Sequence, residues 1–436
     1  MKEHSSAFAR NPEPLPGQPA DGGGSDETDA AATLDVAALR ADTPGCETVI
    51  HFNNAGCGLA AQPVLQVMLD HLQLQARIGG YEAADQREDG VRGFYAAIAE
   101  LIHAQPEHIA FARNATDAYS KALSAIPFER GDVILTTRND FISNQIAFLA
   151  LRKRFGVEVV HAPDLPEGRG VDVDAMAALM RSRRPRLVAA THVPTNSGLV
   201  QPVAEIGRHC RELDLLYLVD ACQSVGQFDV DVNAIGCDLL SATCRKWLRG
   251  PRGTGFLYVS ERALRAGYEP LFIDMHGAHW TEPERYQPVD TAARFEEWEF
   301  PYATVLGCAA AARYALRVGL PAISRRSPAL AADLRDRLAE IPGVRVLDRG
   351  PRPAAIVTFA IAGWEAEPFR QAIAERGINA TVSMREHARY DFADKDVEWC
   401  LRLSPHYYNT GTEVDTVVAA ITELVASGNA ASPGDM

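Results

Sequence analysis

Between Ile109 and Val259 the chain alternates short apolar runs with longer mixed stretches. The runs are Ile109-Ala110-Phe111, Val133-Ile134-Leu135, Val157 to Val160, Leu187 to Ala190, Leu215 to Val219, Leu239-Leu240 and Phe256 to Val259. Each is of strand length, and most are separated by segments long enough for a helix. Strands with no polar face must be covered on both sides, so the alternation predicts an α/β fold with a mainly parallel sheet between helices.

The flanks read differently. Pro63 to Ile78 has apolar residues at Val64, Leu65, Val67, Met68, Leu69, Leu72 and Leu74, a helical pattern opened by proline and ended by Gly79-Gly80-Tyr81-Glu82. A second helix is expected over Val91 to His103, with Phe94, Ile98, Leu101 and Ile102 on one stripe. Before them, Thr48 to Phe52 predicts a short strand running into Asn53-Asn54-Ala55-Gly56-Cys57-Gly58, which is either an ordinary turn or a loop that approaches a ligand. Past His276 the alternation lapses, and Trp280 to Pro301 reads as loop. Thr304 to Val318 reads as a long helix leading into a smaller α+β lobe. That lobe has strands at Val344 to Val346, Ala355 to Phe359 and Leu401 to Leu403, and helices near Pro368 to Arg376 and Glu413 to Val425. The expected division is a disordered tail over 1–30, an N-terminal segment over 31–60, a large domain over 61–303 and a small C-terminal domain over 304–436.

A length of 436 residues suits two lobes. The net charge of −14 argues against nucleic acid or an anionic membrane as partner, since both demand basic surface. Eight cysteines without a CxxC pair or zinc-ligand spacing read as reduced thiols, and no metal site is expected. Met1 to Ala30 is polar, with no apolar core of a signal peptide, and no segment is long enough to span a bilayer; a cytoplasmic setting is expected.

Two residues then stand out. Asp220 ends the apolar run Leu215 to Val219, at the carboxyl end of a strand, where open α/β sheets bind ligands. Lys246 follows Ser241-Ala242-Thr243-Cys244-Arg245 and precedes the turn Gly250-Pro251-Arg252-Gly253-Thr254-Gly255. A lysine able to form a Schiff base, with an acid able to pair with a pyridinium nitrogen, is the minimal equipment for pyridoxal phosphate (PLP) chemistry.

In this order, Asp220-Ala221-Cys222-Gln223, Thr243-Cys244-Arg245-Lys246 and Gly250 to Gly255 resemble the class V aminotransferase group of fold-type I PLP enzymes, which includes cysteine desulfurases. The similarity runs from about Phe52 to about Val425. It implies a seven-stranded sheet, PLP as cofactor, an α-amino acid as substrate and a homodimer with its active site at the interface. It also implies roles for particular residues. Lys246 would hold the cofactor and Asp220 its ring nitrogen. Arg113-Asn114-Ala115-Thr116-Asp117, a plain N-cap on other grounds, would cradle the phosphate through Ala115 and Thr116, together with Thr243 and Arg245. Phe141, in Asp140-Phe141-Ile142-Ser143-Asn144, takes the place of a histidine that stacks on the ring in desulfurases. Either Thr195 or Asn196 would donate to the cofactor's 3-oxygen, with Gln223 also reaching a cofactor oxygen. Arg402 would grip the substrate carboxylate by its planar fork, with Asn54 and Gly56 in a loop crossing over the substrate. Tyr302 would reach the phosphate of a partner subunit.

Desulfurases carry a cysteine on a mobile loop before the C-terminal arginine; here Asn379 to His387 has none. Gly79 to Ala84 and Arg245-Lys246-Trp247-Leu248 are more similar to hercynylcysteine sulfoxide lyase and isopenicillin N epimerase-like members. The expected reaction is β-elimination of a sulfur substituent, with transamination as the alternative, and a catalytically silent PLP-binding relative as the reading from another class.

Overall fold

In the computed structural model, Leu34 to Asn429 are described except for Arg352. The expected tail over 1–30 lies outside the described residues. All seven predicted sheet strands form: β1 Ile109–Ala112, β2 Val133–Thr136, β3 Glu158–His161, β4 Leu187–Thr191, β5 Tyr217–Asp220, β6 Leu239–Thr243 and β7 Gly255–Val259. Their spatial order is β1-β7-β6-β5-β4-β2-β3, and only β7 runs antiparallel to its neighbours. Every residue of β2, β4, β5, β6 and β7 is buried, as the unbroken apolar runs require. One face packs on a core with Phe94, Ile98, Met176, Ile206 and Tyr217, the other on Tyr119, Leu123 and Phe148.

The helices α1 Gln62–Ile78, α2 Glu88–Leu101, α3 Ala115–Ser124 and α4 Ile142–Phe155 precede or follow the first strands. Gly79 ends α1 with φ 103°, but no loop follows: a further helix, Gly80–Gln86, begins at once. Trp280 to Pro301, expected as loop, contains most of an antiparallel hairpin, β8 Ala278–Glu282 with β9 Arg285–Pro288, and a 3₁₀ turn at Ala292–Phe295. Both hairpin strands are largely exposed, so neither carries the apolar alternation by which a half-buried strand is read.

Helix α5, Tyr302–Val318, buries Val305, Leu306, Cys308, Ala311 and Ala312 against α1 and α2. Its buried side chains join the core of the large sheet. Gly319, at φ 91°, turns the chain into α6, Leu320–Ala339. The antiparallel small sheet runs β10 Val344–Val346, β11 Val357–Ile361, β13 Trp399–Leu403 and β12 Thr381–Met384, in that spatial order. Between β12 and β13 lies α7, Arg389–Lys395; the last helix is α8, Gly411–Asn429. The early strand is only Ile50–His51, and it pairs parallel with Ile378–Asn379. That pairing carries the loop from Asn53 to Gly58 onto the lysine turn.

Candidate active site

The lysine turn is fixed by its backbone. The Cys244 amide donates to Thr254 O at 3.2 Å, the Gly250 amide to Cys244 O at 2.8 Å and the Arg249 amide to Lys246 O at 3.0 Å. Arg249 takes φ 60°, a strained value for a side-chain-bearing residue. Its guanidinium is buried, donates to Leu59 O and Tyr407 Oη, each at 2.7 Å, and lies 4.6 Å from the Tyr408 ring centroid. The Gly58 amide donates to Arg245 O at 2.8 Å, and a Cβ at Gly58 would stand 2.5 Å from Lys246 O. Only glycine lets this loop press so closely on the turn.

Lys246 thereby lines an open cleft at the carboxyl ends of β4, β5 and β6, the end of a parallel sheet at which α/β folds bind ligands. Its walls include Ala115, Thr116, Phe141, Thr195, Asp220, Gln223, Thr243 and Arg245. Burial pulls the Lys246 ammonium below the ordinary lysine range; the Cys222 thiol and Asp220 oppose this, while Arg245 and Arg402 add to it. Cys222 also faces the cleft, and burial holds its thiol well above the usual cysteine value.

Asp220 sits in register with Thr191 on β4 and Ser241 on β6. Its Oδ1 accepts from the Cys222 amide at 2.9 Å and its Oδ2 from Asn144 Nδ2 at 3.0 Å, so both oxygens are held in place. At the start of α3, Asn114 caps the helix by accepting from the Asp117 amide at 2.9 Å. The first amides of the helix therefore face the cleft beside Thr243 and Arg245, an anion-binding corner made of a helix N-terminus, a hydroxyl and a guanidinium. Gly255 makes this fit possible, because a Cβ there would meet Ala242 O at 2.6 Å and Ala115 N at 2.9 Å.

Arg402, on β13, is buried one hydrogen bond from the cleft wall. Its Nη1 donates to the Thr195 hydroxyl, its Nη2 to Asn53 Oδ1 at 3.3 Å, and its Nε has no partner. Burial lowers the guanidinium to about 10, which leaves it charged at neutral pH. Among the described residues no carboxylate lies within ion-pair reach of it. Gln223 joins the two halves of the site: its Nε2 donates to Thr195 Oγ1 at 2.9 Å and Ala55 O at 3.1 Å, and its Oε1 accepts from Trp247 Nε1 at 2.8 Å.

Other expected residues lie apart from the cleft wall. Asn196 turns its amide to Asp391 Oδ2 at 2.7 Å, in a buried cluster with Lys395, whereas Thr195 faces the cleft. Asn54 spends its side chain on His51 O, Ser404 O and the Tyr408 hydroxyl. A Cβ on Gly56 would meet Asn53 Oδ1 at 2.5 Å, so the glycine makes room for the Asn53 side chain that reaches Arg402. Tyr302 stands at the start of α5 between Phe300 and His71. Asn53, Asp140 and Asn144 were not singled out from sequence; the only available signal was that each lies within a segment already marked for other residues.

Residues 50–417 match the family model for aminotransferase class-V proteins. The chain belongs to this family. It is 26% identical to a probable cysteine desulfurase of Methanothermobacter thermautotrophicus over 89% of this chain and 98% of that one. It is 29% identical to a probable hercynylcysteine sulfoxide lyase of Mycobacterium tuberculosis over 88% of this chain and 92% of that one. The apo cysteine desulfurase from Thermococcus onnurineus NA1 superposes with a TM-score of 0.82 at 26% identity, covering 91% of this chain and all of that one. The class V protein described here is a fold-type I PLP-dependent enzyme. The site residues fit that cofactor: a buried amine, an acid held by donors on both oxygens, an aromatic ring at Phe141 and an anion-binding corner line one cleft. No described helix is long and apolar enough to cross a membrane. Among the described residues no cluster of metal-ligating side chains occurs.

Proposed function

We propose that this class V enzyme is a C–S lyase that eliminates a sulfur substituent from the β-carbon of an α-amino acid. The observation that carries the reading is Arg402, a buried guanidinium with no carboxylate partner among the described residues, bonded to the Thr195 hydroxyl that lines the cleft with Lys246. A buried charge without a counterion is unfavourable, and the carboxylate of an incoming amino acid would supply one.

When bound, PLP supplies an aldehyde for amines and a conjugated ring that accepts electrons released at the substrate Cα. Lys246 would hold it covalently, Asp220 would face its ring nitrogen and Phe141 would cover a face of the ring. The α3 amides at Ala115 and Thr116, with Thr243 and Arg245, would take the phosphate. With Arg402 fixing the carboxylate, Lys246 Nζ takes the Cα proton as general base; its lowered proton affinity keeps more of it in the free-amine form at neutral pH. Overall, the Cβ–S bond breaks with its electron pair on sulfur, and one water is consumed to give a thiol or sulfenic acid, a 2-oxo acid and ammonia.

Sulfur chemistry is favoured by the desulfurase and sulfoxide lyase relatives. Loss of the substituent to solution, rather than to an enzyme thiol, is favoured by the segment from Asn379 to Trp399, which contains no cysteine. The next thiol, Cys400, is buried on β13, where desolvation pushes it up to about 12. The test is to supply S-substituted cysteines and their sulfoxides and to measure 2-oxo acid, ammonia and released sulfur compound together. Equimolar production supports the lyase, while glutamate formed from 2-oxoglutarate without ammonia would replace it with transamination.

We also place the boundary between large and small lobes near Gly319 rather than at 303/304, because α5 is buried with α1 and α2. A homodimer is supported by the exposed side chains of Tyr81, Leu271, Phe272, Met275, Trp280 and Trp298, large apolar groups that a partner subunit would cover. A cytoplasmic setting is supported by eight free thiols, five of them buried.

A further inference from the structure

Asn144 divides one amide nitrogen between two aspartates. Its Nδ2 lies 2.9 Å from Asp140 Oδ1 and 3.0 Å from Asp220 Oδ2. All three side chains are buried, at 3%, 7% and 4% exposure for Asn144, Asp140 and Asp220. Asp140 lies just before the N-cap of α4, Phe141, and Asn144 lies in the first turn of the helix, so the bend into α4 brings the two side chains together. Asp140 is itself pinned: its Oδ1 also accepts from the Phe141 amide at 2.7 Å and from Thr191 Oγ1, and its Oδ2 accepts from Gln145 Nε2 at 2.7 Å. Thr191 is the register neighbour of Asp220. Two carboxylates are therefore locked one amide apart, Asp220 at the wall of the cleft, and among the described residues no lysine or arginine forms an ion pair with either of them. Helix capping does not account for this, since the N-cap of α4 is Phe141 and the side-chain bonds of Asp140 go to Asn144, Gln145 and Thr191 rather than to backbone amides of the first turn.

We propose that Asp140 and Asn144 are positioning residues for Asp220: Asn144 fixes the plane of the Asp220 carboxylate, and Asp140 adds a second negative charge that favours a protonated ring nitrogen on the bound cofactor. Neither residue touches the reacting atoms. The proposal rests on the reading that Asp220 faces that nitrogen.

The experiment uses the full chain, resolved into apoenzyme and titrated with PLP by absorbance. Asn144→Leu removes the bridge, and Asp140→Asn removes the charge while keeping the shape. Each is expected to raise the PLP dissociation constant about tenfold and to lower kcat about tenfold with KM changed less than about twofold, the scale of one hydrogen bond to a charged group. Wild-type cofactor affinity and kcat in both variants would overturn the proposal. So would variants whose only defect is a lower apoenzyme melting temperature, with kcat per folded enzyme intact, because that is the mark of a purely structural role. Asp220→Ala separates the two levels. If it binds PLP and turns over like wild type, the reading of Asp220 fails and the proposal with it; if it is impaired while Asn144→Leu and Asp140→Asn are silent, the network alone falls.

Discussion

The Nη1 of Arg402 donates to the hydroxyl of Thr195, although 206 residues lie between them in the chain. Thr195 Oγ1 also accepts from Gln223 Nε2 at 2.9 Å, so both of its lone pairs are taken and its one proton is left to donate toward the cleft. Arginine, threonine and glutamine thus act as a unit that joins the carboxylate seat to the lysine turn. Arg402→Lys keeps the charge but loses the fork, and kcat/KM for the amino acid is expected to fall about 10- to 100-fold, mostly through KM. Thr195→Val leaves Arg402 and Gln223 without their shared acceptor, and a loss of about tenfold is expected. Steady-state kinetics on the preferred substrate check both. A Thr195→Val enzyme with unchanged kinetics would remove Thr195 from the site.

Lys246 has no substitute in the cleft. Among the cleft-lining side chains it is the only amine, and the guanidinium of Arg245, the only other basic nitrogen there, does not take up protons at neutral pH. Lys246→Ala is expected to lower kcat by at least about 10⁴-fold, the upper range for loss of a general base. Borohydride reduction followed by peptide mass analysis checks the attachment directly. Wild type should carry reduced cofactor at Lys246, and the variant at no lysine. Cofactor found on another lysine in wild type would move the whole site.

The parts legible in the sequence share a cause. Six of the seven strands announce themselves because each is buried on both faces, and Lys246 and Asp220 because each stands where such a strand ends. What stayed hidden depends on side-chain direction or on exposure. Neighbouring Thr195 and Asn196 are equivalent in the sequence, and only the fold turns one to the cleft and the other to Asp391. The Asp140–Asn144–Asp220 bridge spans 76 residues between Asn144 and Asp220 and leaves no periodic trace. Hairpin β8–β9 is exposed, and α7 has only seven residues, too few for a stripe to emerge. Helix α5 is buried among helices and apolar on several sides, so its sequence does not reveal which core it joins.

His406 links acid stability to the site. It is fully buried, its Nε2 donates to Trp247 O at 2.9 Å, and its Nδ1 meets Ser327 Oγ at 3.2 Å, so it stands neutral directly behind the lysine turn. Burial, then the charge of Arg249, lowers it from 6.5 to about 3. The unfolded chain therefore binds a proton that the folded chain does not as pH falls from about 6.5 toward 3. The stability due to this group is complete above that window and drains away within it, with a slope of at most about 1.4 kcal/mol per pH unit. His406→Gln is expected to be less stable than wild type at pH 8 and to lose less stability on acidification. Chemical denaturation at pH 8 and pH 5 measures the difference, and parallel losses in the two proteins would exclude His406 as the source.

Gly255 tests the anion-binding corner without touching any group that binds. The methyl of Gly255→Ala would stand 2.6 Å from Ala242 O and 2.9 Å from both Ala115 N and the Asn114 carbonyl carbon, all of them backbone atoms that no side-chain rotation relieves. The start of α3 must move away from β6 and β7, carrying the Ala115 and Thr116 amides with it. An overpacking cost of about 1–3 kcal/mol is expected in apoenzyme stability. Beyond that cost, the PLP dissociation constant should rise by about tenfold or more, because the helix N-terminus no longer faces the phosphate at its proper distance. Pyridoxal without phosphate provides the control: its weaker binding should be nearly the same in wild type and variant. If Gly255→Ala weakens pyridoxal and PLP equally, the displaced helix is not where the phosphate sits.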